Sequence, residues 1–334
     1  MGGFYVQNDL GQDSGWASRR EGRQVAYRSE RVANAMTLVR RSTLIVPANV
    51  PRFVEKAHLR AADAVMLDLE DAVPDDEKAT ARDMAREAIP QVGRGGADVL
   101  VRINKPFELA VRDLDAVVCD GLTGIFFPKV ESAREVTILD ALIAERELKA
   151  GIPIGTLQLG LPVESAVGLT NAVSIATASE RTVSMTFGSE DVTLELGIEP
   201  TAEGKERFYG NARMVMVAAH AGIQAHGRLG NVADYTNLDA WASTIRDAKR
   251  FGFKGSTAIH PGQIPILNRE FSLDEAEIDY ARRVITTYEE AESRGRASTT
   301  LDGKMIDIPT AKRARLILMR ADAIARKDTA HAGV

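Results

Sequence analysis

The sequence predicts an α/β protein, a (β/α)8 TIM barrel followed by a C-terminal helical extension. Three observations carry this. Eight short apolar runs of β type recur between residues 43 and 259. Longer stretches rich in Ala, Glu and Arg separate them and read as helices. Two of the runs end abruptly in acid, as suits the carboxyl-end rim where such a barrel keeps its chemistry.

The expected strands are Thr43–Val46, Ala64–Leu67, Val99–Ile103, Gly124–Phe127, Ile154–Leu161, Val183–Phe187, Gly222–Ala225 and Ser256–Ile259. Asn49-Val-Pro51 follows the first and offers a cap residue before an early proline, a common way to start a helix. Pro74-Asp-Asp-Glu77 follows the second, and acids in a first turn complement the helix dipole. No Pro/Gly/Ser linker divides the region. Beyond the eighth strand, Leu273–Arg296 reads as one long helix. Gly303-Lys-Met-Ile-Asp-Ile-Pro309 comes next, then a last helix from about Thr310. Its Ala314, Ile317, Leu318, Ala321 and Ile324 form one apolar stripe. That stripe must dock, on its own barrel or on a neighbouring subunit. The chain is expected to divide into a flexible or surface-hugging arm (1–35), a catalytic barrel (36–270) and the extension (271–334).

Bulk properties narrow the function. The 334 residues are 45% hydrophobic, which supplies a sizeable core. A net charge of −5 disfavours nucleic acid as a partner. The single cysteine, Cys119, leaves no internal disulfide framework and fits a reducing compartment, so a cytoplasmic location is expected. No apolar run is long enough to span a membrane. The polar first 30 residues lack the apolar core of a secretory signal, and Asp9, Asp13 and Glu21 argue against an organelle transit peptide.

The acidic strand ends lead the candidate chemistry. Thr156–Leu161 runs into Glu164, and Thr182–Phe187 runs through one glycine into Glu190 and Asp191. Either acid alone could simply cap the next helix. On consecutive strands of one barrel, Glu164 and Asp191 become a pair of hard oxygen donors suited to Mg²⁺, with Mn²⁺ an alternative. No His-rich or Cys-rich set accompanies them, which disfavours zinc. Arg102 must find an anion, because a buried unpaired charge is costly. It could bridge to Asp68, or serve as a fork for a substrate carboxylate or an enolate oxygen. Asp68, Glu70 and Asp71 read as groups that orient Arg102, Lys129 or metal-bound water. Arg52 and Lys56 share a helix face. Solvated surface is the default for them, and phosphate binding the alternative. Lys129 directly follows a strand and points to the rim. His260 could brace a loop or act in catalysis.

In order, the segments Arg41–Pro47, Leu67-Asp-Leu-Glu-Asp-Ala-Val73, Val101-Arg-Ile-Asn104, Phe127-Pro-Lys-Val-Glu-Ser132, Pro162-Val-Glu-Ser165, Phe187-Gly-Ser-Glu-Asp191, Ala258-Ile-His-Pro-Gly-Gln263 and Met305-Ile-Asp-Ile-Pro309 resemble the citrate lyase β-subunit-like family of the HpcH/HpaI aldolase superfamily. That family includes malyl-CoA, methylmalyl-CoA and citramalyl-CoA lyases. Each motif alone is weak, and eight in the right order over about residues 40–325 are specific. The resemblance implies carbon–carbon lyase chemistry: a 3-hydroxy-3-carboxylic acyl-CoA is cleaved to an acyl-CoA and a 2-oxo acid, or formed by Claisen-type condensation. It implies that Glu164 and Asp191 hold Mg²⁺ and that Arg102 contacts the substrate and steadies enolate charge. It implies that Arg52 and Lys56 contact the phosphates of a CoA thioester. It also implies that Asp307 is carried by the extension onto a neighbouring subunit, in a trimer or hexamer, to give and take the proton.

The chain departs from the family pattern in places. Ala48 stands where glycine is usual, and Gly160-Leu-Pro162 is an unusual lead into Glu164. His226-Gly227 replaces a pair with an acidic residue at the end of the seventh strand. Lys254-Gly255-Ser256-Thr257 replaces the usual Gly-Lys before the eighth. These changes touch the substrate rim more than the reaction class. The alternatives left open are a CoA-independent 2-oxo-acid aldolase, a thioesterase in which Asp307 activates water, and a non-catalytic assembly β subunit of a citrate-lyase-like complex.

Overall fold

The structure is a computed structural model and describes residues 30–201, 203–229 and 237–332. Its centre is eight strands: β1 (Ser42–Pro47), β2 (Ala64–Asp68), β3 (Asp98–Arg102), β4 (Gly124–Phe126), β5 (Gln158–Val163), β6 (Thr182–Phe187), β7 (Gln224–His226) and β8 (Ser256–Ala258). All pair in parallel, in the order β7-β6-β5-β4-β3-β2-β1-β8. Backbone bonds from Lys254 N to Ala225 O (2.9 Å) and from Gly227 N to Gly255 O (2.8 Å) join the two ends and close the barrel. The eight strands stand where the sequence places them, with ends shifted by a few residues. The largest shift is in β5, which begins at Gln158, after a turn at Gly155.

The surrounding helices are α1 (Pro51–Ala57), α2 (Lys78–Val92), α3 (Phe107–Val117), α4 (Ala133–Lys149), α5 (Ala166–Ala176), α6 (Ser189–Glu195), α7 (Lys205–Ala221), α8 (Leu238–Phe251) and α9 (Ile264–Phe271). Strand residues alternate between two apolar environments, as a period of two requires. On β2, Val65 and Leu67 pack in the layer beneath the helices, with Leu114, Leu139 and Ile143. Ala64 and Met66 face the barrel interior with Leu100 and Phe126. Asn49 does not cap α1; its Nδ2 donates to Glu77 Oε2 instead, and Val50 holds the cap position.

The amino-terminal face is held by charge. Arg41, only 2% exposed, grips the fully buried Asp63 through Nε and Nη2 at 2.8 and 2.9 Å. Arg40 pairs with Asp98 at 2.7 Å. The long helix α11 (Ile308–Ala332) docks on the same face. Asp328 meets Arg41, Lys327 meets Asp98, and His331 meets Asp63. Arg320 also donates to the Leu38 carbonyl. The extension expected to pack on a neighbouring subunit thus places the C-terminal half of its last helix on its own barrel. Complementary charges on the barrel floor explain this, and the apolar stripe alone did not reveal them.

The remainder of the extension has a small core of its own. Helix α10 (Glu275–Ser293), the hairpin β9 (Thr299–Leu301) and β10 (Lys304–Ile306), and the start of α11 enclose Ala281, Val284, Tyr288, Ile306, Ala311 and Ala314. At the other terminus, residues 30–37 are helical, and Arg31 Nη2 donates to the Thr182 carbonyl at 2.7 Å. The segment expected as an arm is therefore ordered against the barrel from residue 30, and its first 29 residues lie outside the described ones.

Barrel closure creates a tight spot at Gly255, where a Cβ would lie 1.8 Å from the Arg40 carbonyl oxygen. Position 255 of the Lys254-Gly255-Ser256-Thr257 segment therefore has no room for a side chain. Replacing Gly255 with Ala is expected to cost about 3 kcal/mol or more, because the clash is with backbone and not with a movable side chain. Urea unfolding measures it, and an unchanged midpoint would show that β1 and β8 can separate freely.

Candidate active site

Glu164 directly follows β5. Its Oε2 accepts the Lys129 backbone N–H at 2.9 Å. Lys129 sits at φ 52°, a left-handed conformation uncommon for a side-chain-bearing residue. That conformation lets its N–H serve Glu164 while its ammonium reaches Glu70 (2.5 Å) and Asp71 (3.0 Å). Gly188, between β6 and α6, makes room for the same carboxylate. A Cβ there would lie 2.4 Å from Glu164 Cγ. Asp191 is in the first turn of α6 and half-buried.

Electrostatics single out Glu164. Burial, then the charges of Asp191 and Glu70, push its pKa up to about 7. The Lys129 N–H and Arg102 oppose this without cancelling it. Two carboxylates this close, one desolvated, make a site short of positive charge.

Arg102 ends β3. Its Nε and Nη2 donate to the two oxygens of the fully buried Asp68 at 2.7 and 2.6 Å, and Nη1 lies 2.9 Å from Glu70. Asp68 also accepts the backbone N–H groups of Glu70 and Ala72. Burial opposes the Arg102 charge, but Asp68, Glu70 and Asp71 outweigh it and raise its pKa. Burial likewise raises Glu70 despite Lys129, whereas Lys129 and Arg102 outweigh burial at Asp71 and lower it. Asp68 and Glu70 thus lie against Arg102, and Glu70 and Asp71 against the Lys129 ammonium.

These groups border a cleft of about 170 Å³ at the barrel mouth, lined by Arg102, Glu164, Glu190, Asp191 and Arg228 among others. A second cleft, of about 620 Å³, carries Arg52, Lys56 and Arg60 with Phe53, Ile259 and His260. Ile45 lines both, so the two adjoin. His260 also accepts from Gly262 N through Nδ1, which is the loop-bracing role. Asp307 lines neither cleft. It caps α11, accepting from Thr310 N (3.0 Å) and Oγ1 (2.7 Å), and these bonds lower its pKa. Sequence reasoning missed Arg60 and Arg228. Arg60 lies one helical turn past Lys56, and Arg228 directly follows the altered seventh strand end.

Among the described residues, no cluster of three or more His, Cys, Asp and Glu is arranged to hold a metal. The pair Glu164 and Asp191 fits a hard divalent cation completed by water or substrate oxygens, not a closed zinc site.

Residues 41–261 match the HpcH/HpaI aldolase/citrate lyase family. The chain is 35% identical over 291 residues to citrate lyase subunit beta of Leuconostoc mesenteroides subsp. cremoris, covering 85% of this chain and 94% of the relative. It is 31% identical over 303 residues to the L-malyl-CoA/beta-methylmalyl-CoA lyase of Cereibacter sphaeroides, covering 85% and 95%. The crystal structure of CitE from Mycobacterium tuberculosis in complex with magnesium, acetoacetate and coenzyme A superposes with a TM-score of 0.64 at 29% identity, covering 84% of this chain and 97% of that one.

A carboxylate with a pKa near 7 loses its proton when a cation binds beside it. Cation affinity is therefore expected to rise as pH increases from about 6 to 8, with proton release on binding, because the proton competes below about 7. Calorimetry of Mg²⁺ binding in buffers of different ionisation enthalpy tests this. Glu164→Gln should abolish the proton release, and pH-independent binding by the unaltered protein would contradict the assignment.

Proposed function

The chain belongs to the HpcH/HpaI aldolase/citrate lyase family, and from that premise we propose that it is a Mg²⁺-dependent carbon–carbon lyase acting on a 3-hydroxy-3-carboxylic acyl-CoA. The observation that carries this is that the acidic mouth cleft and the basic cleft adjoin at Ile45. One chamber suits a cation and an oxo acid, and the other suits phosphates on an extended thioester. The magnesium and coenzyme A named for the Mycobacterium tuberculosis relative support both assignments.

Glu164 and Asp191 would hold the metal. Bound there, Mg²⁺ would supply Lewis-acid polarisation of the oxygen that becomes the ketone. Arg102, locked by Asp68, would present fixed positive charge to the enolate oxygen left when the carbon–carbon bond breaks. Fixing it beforehand spares the site reorganisation during the reaction. Lys129 places its N–H on Glu164 and keeps Glu70 and Asp71 compensated, so it positions the acidic pair. Arg52, Lys56 and Arg60 would bind the phosphates, with Phe53 and Ile259 against apolar parts of the cofactor chain.

Asp307 is the proton carrier in this reading and reaches the mouth of a neighbouring copy in a homo-oligomer, a trimer or hexamer. Exposed Met305 (68%) and Ile308 (50%) flank it, an apolar setting suited to docking. Its lowered pKa keeps it ionised, so it acts first as a base. In condensation it removes a proton from the acyl carbon; in cleavage it first takes up the hydroxyl proton and then delivers a proton to that carbon.

Purified protein with Mg²⁺ is expected to convert at least one of citryl-, malyl-, methylmalyl- or citramalyl-CoA to an acyl-CoA and a 2-oxo acid. No turnover of any would favour the CoA-independent aldolase. Replacing Arg52 and Lys56 together with Ala should raise KM for the CoA ester about tenfold and leave KM for the oxo acid unchanged. Equal KM values would return both residues to ordinary surface.

For Asp307→Asn, kcat should fall by about 100- to 10,000-fold while Mg²⁺ binding persists. Near-normal turnover would remove Asp307 from the reaction.

A further inference from the structure

Arg228 follows β7 and reaches back into the mouth. Its Nη1 donates to Ser256 Oγ (3.1 Å), Thr257 O (3.1 Å) and Thr257 Oγ1 (3.3 Å). It forms no ion pair among the described residues. Burial pulls its pKa down to about 10; Glu190 acts against that and Arg207 adds to it. The two cations beside Glu164 are compensated. Arg102 has Asp68 and Glu70, and Lys129 has Glu70 and Asp71. Arg228 is therefore the rim cation that lacks a carboxylate partner and lines the same cleft as Glu164 and Asp191.

Glu164 follows β5, Asp191 lies in the first turn of the helix after β6, and Arg102 ends β3, so Arg228 stands on the β7 side of the acidic pair, across from Arg102. With a cation held by Glu164 and Asp191, a 2-oxo acid would use its C1 carboxylate on that cation. A substrate with that carboxylate alone leaves the half-buried Arg228 without an anion. A substrate with a second carboxylate satisfies it through a charge-assisted fork.

We propose that Arg228 is a specificity-determining residue whose guanidinium binds a second carboxylate on the oxo-acid half of the substrate, so that this chain selects dicarboxylic over monocarboxylic 2-oxo acids. The side chain is preorganised for this. The bonds from Nη1 to Ser256 and Thr257 fix the guanidinium and leave Nε and Nη2 as donors. These two nitrogens match a carboxylate bidentately. Thr257 and Ser256 belong to β8, where the departure from the usual Gly-Lys supplies the hydroxyls that hold the arginine.

This inference rests on the lyase reading, and the test separates the two. Calorimetric titration of the full chain in Mg²⁺ with oxaloacetate and with pyruvate reads the preference directly. Oxaloacetate is expected to bind at least about tenfold more tightly. In Arg228→Gln, oxaloacetate affinity should fall about 10- to 100-fold and pyruvate affinity less than about threefold, with Mg²⁺ binding no weaker than in the unaltered protein. Arg228→Lys keeps the charge and should retain part of the preference, and circular dichroism of both variants checks that they fold. Equal losses for both acids, or none, would overturn the role of Arg228 and leave the lyase reading standing. Unaltered protein that binds neither acid in Mg²⁺ would sink both.

Discussion

Two carboxylates at the ends of adjacent buried strands repel each other, and the site at the barrel mouth is organised around that repulsion. Desolvation and the nearby Asp191 hold Glu164 at a pKa of about 7. Around it, Lys129 adopts an unusual backbone conformation to aim one N–H at the carboxylate, and Gly188 gives up a side chain so that the carboxylate has room. Each feature brings negative charge closer without neutralising it. A protein that only needed stability would not keep such a pair, since an unpaired buried charge is destabilising. The arrangement makes sense when a divalent cation completes it.

The opposite face of the barrel shows the other outcome. There Arg41, Asp63, Arg40, Asp98, Lys327 and Asp328 are brought together with charges balanced. This network fastens the last helix to the floor. The two faces thus use the same residue types for opposite purposes. Carboxylates at the amino-terminal ends of strands meet guanidinium partners within the fold, whereas those at the carboxyl ends of β5 and β6 await a ligand. This division follows the general rule that barrel conservation below concerns stability and the rim above concerns chemistry.

Much of the fold was legible because parallel barrel strands are buried on both faces and read as apolar runs even where they are only three residues long, as β4, β7 and β8 are. The β9–β10 hairpin was not legible, since three-residue strands with exposed Lys304 and Met305 carry no apolar alternation. The docking of α11 on its own barrel was hidden for another reason. It depends on Asp328, Lys327 and His331 meeting charges 287, 229 and 268 residues earlier, and a stripe of apolar residues on one helix does not say where the partner lies. At the site, the acids of β5 and β6 could be read from strand ends, and the pairing of Arg102 with Asp68 from the cost of burying a charge. Arg228 could not, because a lone arginine between glycine and leucine outside any periodic pattern looks like solvated loop.

Arg102 and Arg228 show why charge count alone would misjudge the rim. Both are guanidinium groups in one cleft, yet Arg102 is held by a buried carboxylate and its charge is spent largely on keeping it in place. Such an arginine can steady charge that develops during reaction, but it offers little to a ground-state anion, because Asp68 competes for its two best donors. Arg228 is held by neutral hydroxyl and carbonyl oxygens, which orient it without cancelling its charge. A group fixed by neutral partners is available to bind, and a group fixed by an ion pair is available to stabilise. The nature of the holding partner, more than the identity of the cation, separates recognition from catalysis at this rim.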